Sequence, residues 1–135
     1  MGRQILNKLI KFFSVILFVS ATATLVTGCG DDAPNSKDSI KSLKEYYAAS
    51  PTNTGWELIR ITADGSQKLV VDMLVTSESD LNKIASVSRM QQFAIAKLGC
   101  PITSADLKSK IGKNTEVWVR LNSSKEILTL SICPD

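Results

Sequence analysis

Between Phe12 and Gly28 lie 17 residues without a charged side chain, and Cys29 follows at once. Arg3, Lys8 and Lys11 stand before this run, and the acids begin at Asp31. A positive start, an apolar centre and a small-residue end are the parts of a secretory signal. The run is shorter than the roughly 20 apolar residues that cross a bilayer. It also thins into Ser20, Ala21, Thr22, Ala23 and Thr24 before the cysteine. Residues 1–28 are therefore expected to be a removable leader. Whatever folds must then be built from the remaining 107 of the 135 residues.

The end of the leader names its type. Leu25-Val26-Thr27-Gly28-Cys29 resembles the lipobox of bacterial lipoproteins, in which a branched apolar residue and small residues precede a cysteine. The resemblance implies diacylation of the Cys29 thiol, cleavage before it, and acylation of the new amine. A thiolate is the best nucleophile a side chain offers, and two or three buried acyl chains anchor stably where one does not. In the sorting pattern of such lipoproteins, an Asp directly after the cysteine retains the protein at the inner membrane. Here Gly30 takes that place and Asp31 comes one later. The inner leaflet of the outer membrane is therefore favoured over the inner membrane, with the domain in the periplasm.

Losing the leader also changes the charge. The chain holds 16 basic and 13 acidic residues, and removing Arg3, Lys8 and Lys11 leaves 13 against 13. A neutral domain argues against nucleic acid as a partner, because that affinity comes largely from neutralised phosphates. Cys100 and Cys133 are the cysteines left once Cys29 is lipidated. In an exported protein they are expected to form a structural disulfide, which would supplement the limited core of a small domain.

Residues 29–36 read as a lipidated tether and residues 37–135 as one α+β domain. In a first helix, opened by Ser36 or Ser39, Ile40, Leu43 and Tyr47 share a stripe, and Ser50-Pro51 ends it. Gly55–Ile61 and Lys68–Thr76 read as strands joined across Asp64-Gly65, a strong hairpin signal. From Asp80 to Leu98 the apolar period becomes helical and predicts one long amphipathic helix, capped by Ser77 or Ser79. Gly99 sits where a left-handed terminal residue is wanted, with Pro101 beyond. A shorter helix runs from Ser104 to Gly112, and Glu116–Leu121 and Glu126–Ile132 form a second hairpin across "NSSK". The expected fold is one antiparallel sheet of about four strands with the long helix packed on one face. One tension remains. Strict alternation puts Cys133 on a face with Thr129 and Ser131, so a helix covering the Leu128–Ile132 row would require the strand to end or twist by Cys133.

Chemistry is sparse. The chain has no histidine, which excludes Ser–His–Asp and Cys–His mechanisms and a histidine-bearing zinc site. Asp64 suits its turn and Asp106 a helix start. Glu57, Asp72 and Glu116 read as solvent-facing or cross-strand residues. No catalytic residue, metal site or cofactor is expected, and the chain does not read as an enzyme. Trp118, with Arg120 beside it, is the candidate protein-binding pair, because such residues recur at interaction hot spots.

The body is similar in pattern to the small pilotin lipoproteins that guide outer-membrane secretins in type II secretion. The similar stretches are "ELIRITADGSQKLVVDMLVT", "RMQQFAIAKLGCP" and "KIGKNTEVWVRLNSSKEILTLSIC". The resemblance implies a paired Cys100 and Cys133 and a groove between sheet and helix that accepts a partner segment. The leading expectation is a membrane-anchored, non-enzymatic, protein-binding accessory of an envelope assembly. The alternative is an inhibitory or exclusion lipoprotein that blocks an envelope hydrolase or a conjugation machine.

Overall fold

The computed structural model describes residues 36–51 and 54–134; Cys29, the leader and the tether before Ser36 lie outside them. In chain order the elements are α1 (Ser36–Ala49), β1 (Trp56–Ala63), β2 (Lys68–Val75), α2 (Glu78–Ser86), α3 (Arg89–Ala96) with a 3-10 turn at Lys97–Gly99, α4 (Ala105–Ile111), β3 (Glu116–Asn122) and β4 (Ile127–Ile132). The four strands form one sheet in the order β1-β2-β3-β4. The fold class is α+β, as expected.

The sheet is mixed, which corrects the antiparallel expectation. β1 pairs antiparallel with β2 and β3 antiparallel with β4, but β2 and β3 run parallel. The two hairpins are joined by three helices, and a helical crossover returns the chain to the end of the sheet where the previous strand began. The return is visible where Glu116 N–H bonds to Gln67 O at 2.7 Å, beside the start of β2.

The long helix is the second correction. It breaks at Val87 (φ −100°, ψ 162°) and restarts after Ser88 (φ −64°, ψ 157°). Gln91 Oε1 accepts the Ser88 N–H at 3.0 Å, half of a capping box. The stretch Ser88-Arg89-Met90-Gln91 carries the S-x-x-Q start signal, and the apolar period masked it. Gln92 Nε2 then donates to Ile84 O at 2.9 Å and ties α3 back to α2. The break re-aims the apolar stripe: Ile84 and Ala96 are buried, whereas Met90 and Leu98 face solvent.

One core fills the space between the helices and a single sheet face. Leu43 and Tyr47 of α1, Ile84 of α2, Ala96 of α3 and Leu107 and Ile111 of α4 meet Leu69, Val71, Met73, Val75, Val117, Val119 and Leu121 there. Buried hydrogen bonds pin the helices. Ser39 Oγ donates to Ile111 O at 3.2 Å, and Tyr47 OH donates to Gly99 O at 2.8 Å. Burial pushes the Tyr47 hydroxyl pKa up, so it stays a donor. Trp56 is buried and bonds Asp80 Oδ2 through Nε1 at 3.1 Å.

Gly99 does not take the expected left-handed conformation; among the described residues the glycines with positive φ are Gly55, Gly65 and Gly112. Its role is close approach. A Cβ there would meet Val119 Cγ1 at 2.9 Å, Met73 Sδ at 3.1 Å and Trp56 Cζ3 at 3.2 Å. Gly99→Ala should therefore cost about 1–3 kcal/mol by overpacking, read as a lowered urea midpoint. A neutral result would mean that the core has slack at this point.

Candidate functional site: the uncovered sheet face

The register sorts the paired outward side chains of the sheet centre into rows. Arg60, Asp72, Arg120 and Leu130 are cross-strand partners from β1 to β4. Thr62, Val70, Trp118 and Ile132 form the row on one side, and Glu57, Leu74, Asn122 and Ile127 the row on the other. These rows alternate with the core residues, so they occupy the face that the helices leave uncovered.

β4 resolves the tension over Cys133. Thr129 pairs with Leu121 and Ser131 with Val119, so these polar residues point into the core and are buried, at 7% and 6% exposure. Cys133 continues their parity and reaches Cys100, with Cα atoms 5.5 Å apart and a formed disulfide. Two of its isoleucines are left outside, Ile132 at 41% and Ile127 at 60% exposure, while Leu128 is half-buried against the core. From Thr129 to Ile132 β4 is thus inverted relative to an ordinary amphipathic strand. Thr129 Oγ1 is buried and has no hydrogen-bond partner among the described residues. Thr129→Val should therefore stabilise the fold by about 1 kcal/mol, since it removes an unsatisfied buried hydroxyl at constant volume. A loss of stability on thermal unfolding would contradict the inward placement.

At the centre of the face, one buried carboxylate serves two guanidiniums. Asp72 has 2% of its side chain exposed. Arg120 binds it through Nε to Oδ1 and through Nη2 to Oδ2, the latter at 2.8 Å. Arg60 Nε donates to Oδ2 at 2.8 Å, and Asn122 Nδ2 lies 3.4 Å from Oδ1. Hydrogen bonding from Arg120, with smaller help from Arg60 and Asn122, outweighs desolvation and holds the Asp72 carboxyl down at about 2. Asp72 is thus a cross-strand residue, but not a solvent-facing one; a lone acid inside the apolar run "KLVVDMLVT" was the signal. Because its folded pKa lies below the unfolded value, its contribution is complete above about pH 4 and is lost as pH falls toward 2. That contribution is about 2 kcal/mol. Acid unfolding of Asp72→Asn should lack this component of the pH dependence; an unchanged profile would show that Asp72 is not its source.

Trp118 and Arg120, the expected binding pair, do share the uncovered face in adjacent rows. Arg120 is 26% exposed and committed to Asp72, so it supports the face more than it reaches out. Trp118 is half-buried; its Nε1 donates to Glu116 Oε2 at 3.0 Å, and Lys68 Nζ lies 4.7 Å from its ring centroid. Alternation alone did not identify Arg60, whose side chain is 64% exposed. Nor did it single out Ile59, the extra residue where the β1 register shifts. Both line an open cleft of 320 Å³ that runs past Asp72 and Asn122 to the β3–β4 turn and Ile127. The turn is braced by Ser123 Oγ, which accepts the N–H groups of Lys125 and Glu126 at 3.2 and 3.0 Å.

No group of three potential metal ligands converges among the described residues, and none of their helices is long and apolar enough to cross a membrane. The chain matches no protein-family profile, no curated protein and no solved structure. Its own geometry must carry the functional reading.

Proposed function

We propose that this chain is a lipoprotein anchored through Cys29, favouring the inner leaflet of the outer membrane. It acts as a non-enzymatic, pilotin-like, protein-binding accessory of an envelope assembly, and the uncovered sheet face is its contact surface. The inversion of β4 carries this reading. A strand that buries Thr129 and Ser131 while exposing Ile127 and Ile132 leaves apolar area in water beside Trp118, and such area is recovered when a partner covers it. The Arg60–Asp72–Arg120 row beside it supplies polar orientation at the centre. Asp72 is occupied by its bonds to Arg60 and Arg120, so it serves the face as a fixed anchor for two guanidiniums. Tethering raises the effective concentration of domain and partner at the membrane.

A photo-crosslinking residue placed at Ile132 or at Ile59 in intact cells should give one discrete protein adduct, absent when the probe sits at Lys83 on α2. An adduct with an assembly component fits the accessory role; an adduct with a hydrolase or a conjugation protein selects the inhibitory alternative. Absence of any adduct from Ile132 and Ile59 would overturn the binding face.

A further inference from the structure

The mature chain is neutral overall, but its charge is not evenly spread. α1 carries Lys37, Lys41 and Lys44, and α4 with the turn after it carries Lys108, Lys110 and Lys113. The acids on the same elements are Asp38, Glu45 and Asp106, so six lysines meet three acids. The α1 lysines follow an i, i+4, i+7 spacing and form a stripe, on the side away from buried Ser39, Leu43 and Tyr47. All but half-buried Lys108 are exposed. Glu45 lies 3.9 Å from Lys41, and Asp106 lies 2.7 Å from Lys110. The two helices form one unit, because the Ser39–Ile111 hydrogen bond joins the first turns of α1 to the end of α4.

Chain length places this unit. Seven Cα–Cα steps separate Cys29 from Ser36, a reach of at most about 25 Å. If Cys29 holds the acyl chains, α1 begins within that distance of the headgroups. We infer that the lysine face of α1 and α4 docks on anionic phospholipid, with its ammonium groups against headgroup phosphates. The inference rests on the anchor reading for its geometry and on charge complementarity for its chemistry. The helices and the uncovered sheet face lie on opposite sides of the sheet, so lipid docking of the helices turns Trp118, Ile132 and the Arg60 cleft away from the membrane, toward a partner.

The test uses the processed protein purified from membranes and reconstituted on vesicles of phosphatidylcholine, with and without phosphatidylglycerol. Brief lysine acetylation is read peptide by peptide by mass spectrometry. Lys37, Lys41, Lys44 and Lys113 should react about threefold more slowly when phosphatidylglycerol is present, and the protection should disappear at about 1 M salt. Lys68 and Lys125, on the sheet side, should not change. The triple variant Lys37→Glu, Lys41→Glu, Lys113→Glu alters exposed positions only and should abolish the remaining protection at Lys44. Equal reactivity on both vesicles, or protection of Lys68 and Lys125 instead, would overturn the docking face. The same spectra report the mass of the Cys29 peptide. An acylated Cys29 with unprotected lysines sinks the docking face and leaves the anchor; a bare thiol with protected lysines does the reverse.

Discussion

Asp72→Ala will unfold at markedly lower urea than the parent chain, with a loss of about 3–4 kcal/mol. The size follows from what is left behind. Arg120 has only 26% of its side chain exposed and spends two hydrogen bonds on Asp72. Without the carboxylate, a largely desolvated guanidinium stands alone, and that residue of unpaired charge dominates the loss. Arg60 separates the effects. At 64% exposure its bond to Asp72 is close to a surface ion pair, so Arg60→Ala should cost less than about 1 kcal/mol. Replacing both buried partners, Asp72→Leu with Arg120→Met, should recover most of the stability, because an apolar pair avoids the desolvation cost. If Asp72→Ala lies within about 0.5 kcal/mol of the parent, the surface-substitution range, the row is solvated and its structural role falls.

Removing the bridge, with Cys100→Ala and Cys133→Ala together, should cost about 3–4 kcal/mol on the chain-entropy estimate for its 33-residue separation. The local consequence is more specific than the total. β4 is an edge strand whose fully buried residues are Thr129 and Ser131, and Leu128 adds only a half-buried apolar contact to the core. Its attachment relies on the ladder to β3, the Cys133 N–H bond to Val117 O at 2.8 Å and the disulfide itself. Hydrogen exchange should therefore accelerate most in β4 and in the 3-10 turn at Lys97–Gly99, while β2, flanked on both sides, keeps its protection. Uniform acceleration across the sheet would mean that the bridge stabilises only globally. Loss of β4 would also dismantle the proposed binding face, since Leu130 and Ile132 belong to it.

Much of the architecture is local and could be read in advance. The Asp64-Gly65 turn, the hairpin across "NSSK", the helix before Pro51 and the helix opened by Ser104 all occur where turn chemistry and periodicity put them. Ser104 accepts the Leu107 N–H at 3.2 Å as a helix start should. The misreading of Asp80–Leu98 was also local. Two signals competed there, a helical apolar period and the Ser88–Gln91 start, and the period spans a break as readily as a continuous helix. Gly99 shows the opposite case. Its position suggested a backbone requirement, but the requirement is space against Val119, Met73 and Trp56, which come from three distant strands.

The candidate face was half legible. Alternation put Trp118 and Arg120 together, yet it did not reveal that Asp72 unites Arg60 with Arg120, because that depends on β2 standing between β1 and β3. What the amino-acid order alone determined is which residues share a side of each element, where most elements turn, and the expectation that Cys100 pairs with Cys133, which the structure bears out. The tertiary structure decided the parallel pairing of β2 with β3, the side of β4 that the helices cover, and the burial of Asp72. The reason is physical. Periodicity sorts side chains into two sets, but which set is buried is settled by elements far away in the chain, and a crossover or a disulfide can hold the less apolar side inward.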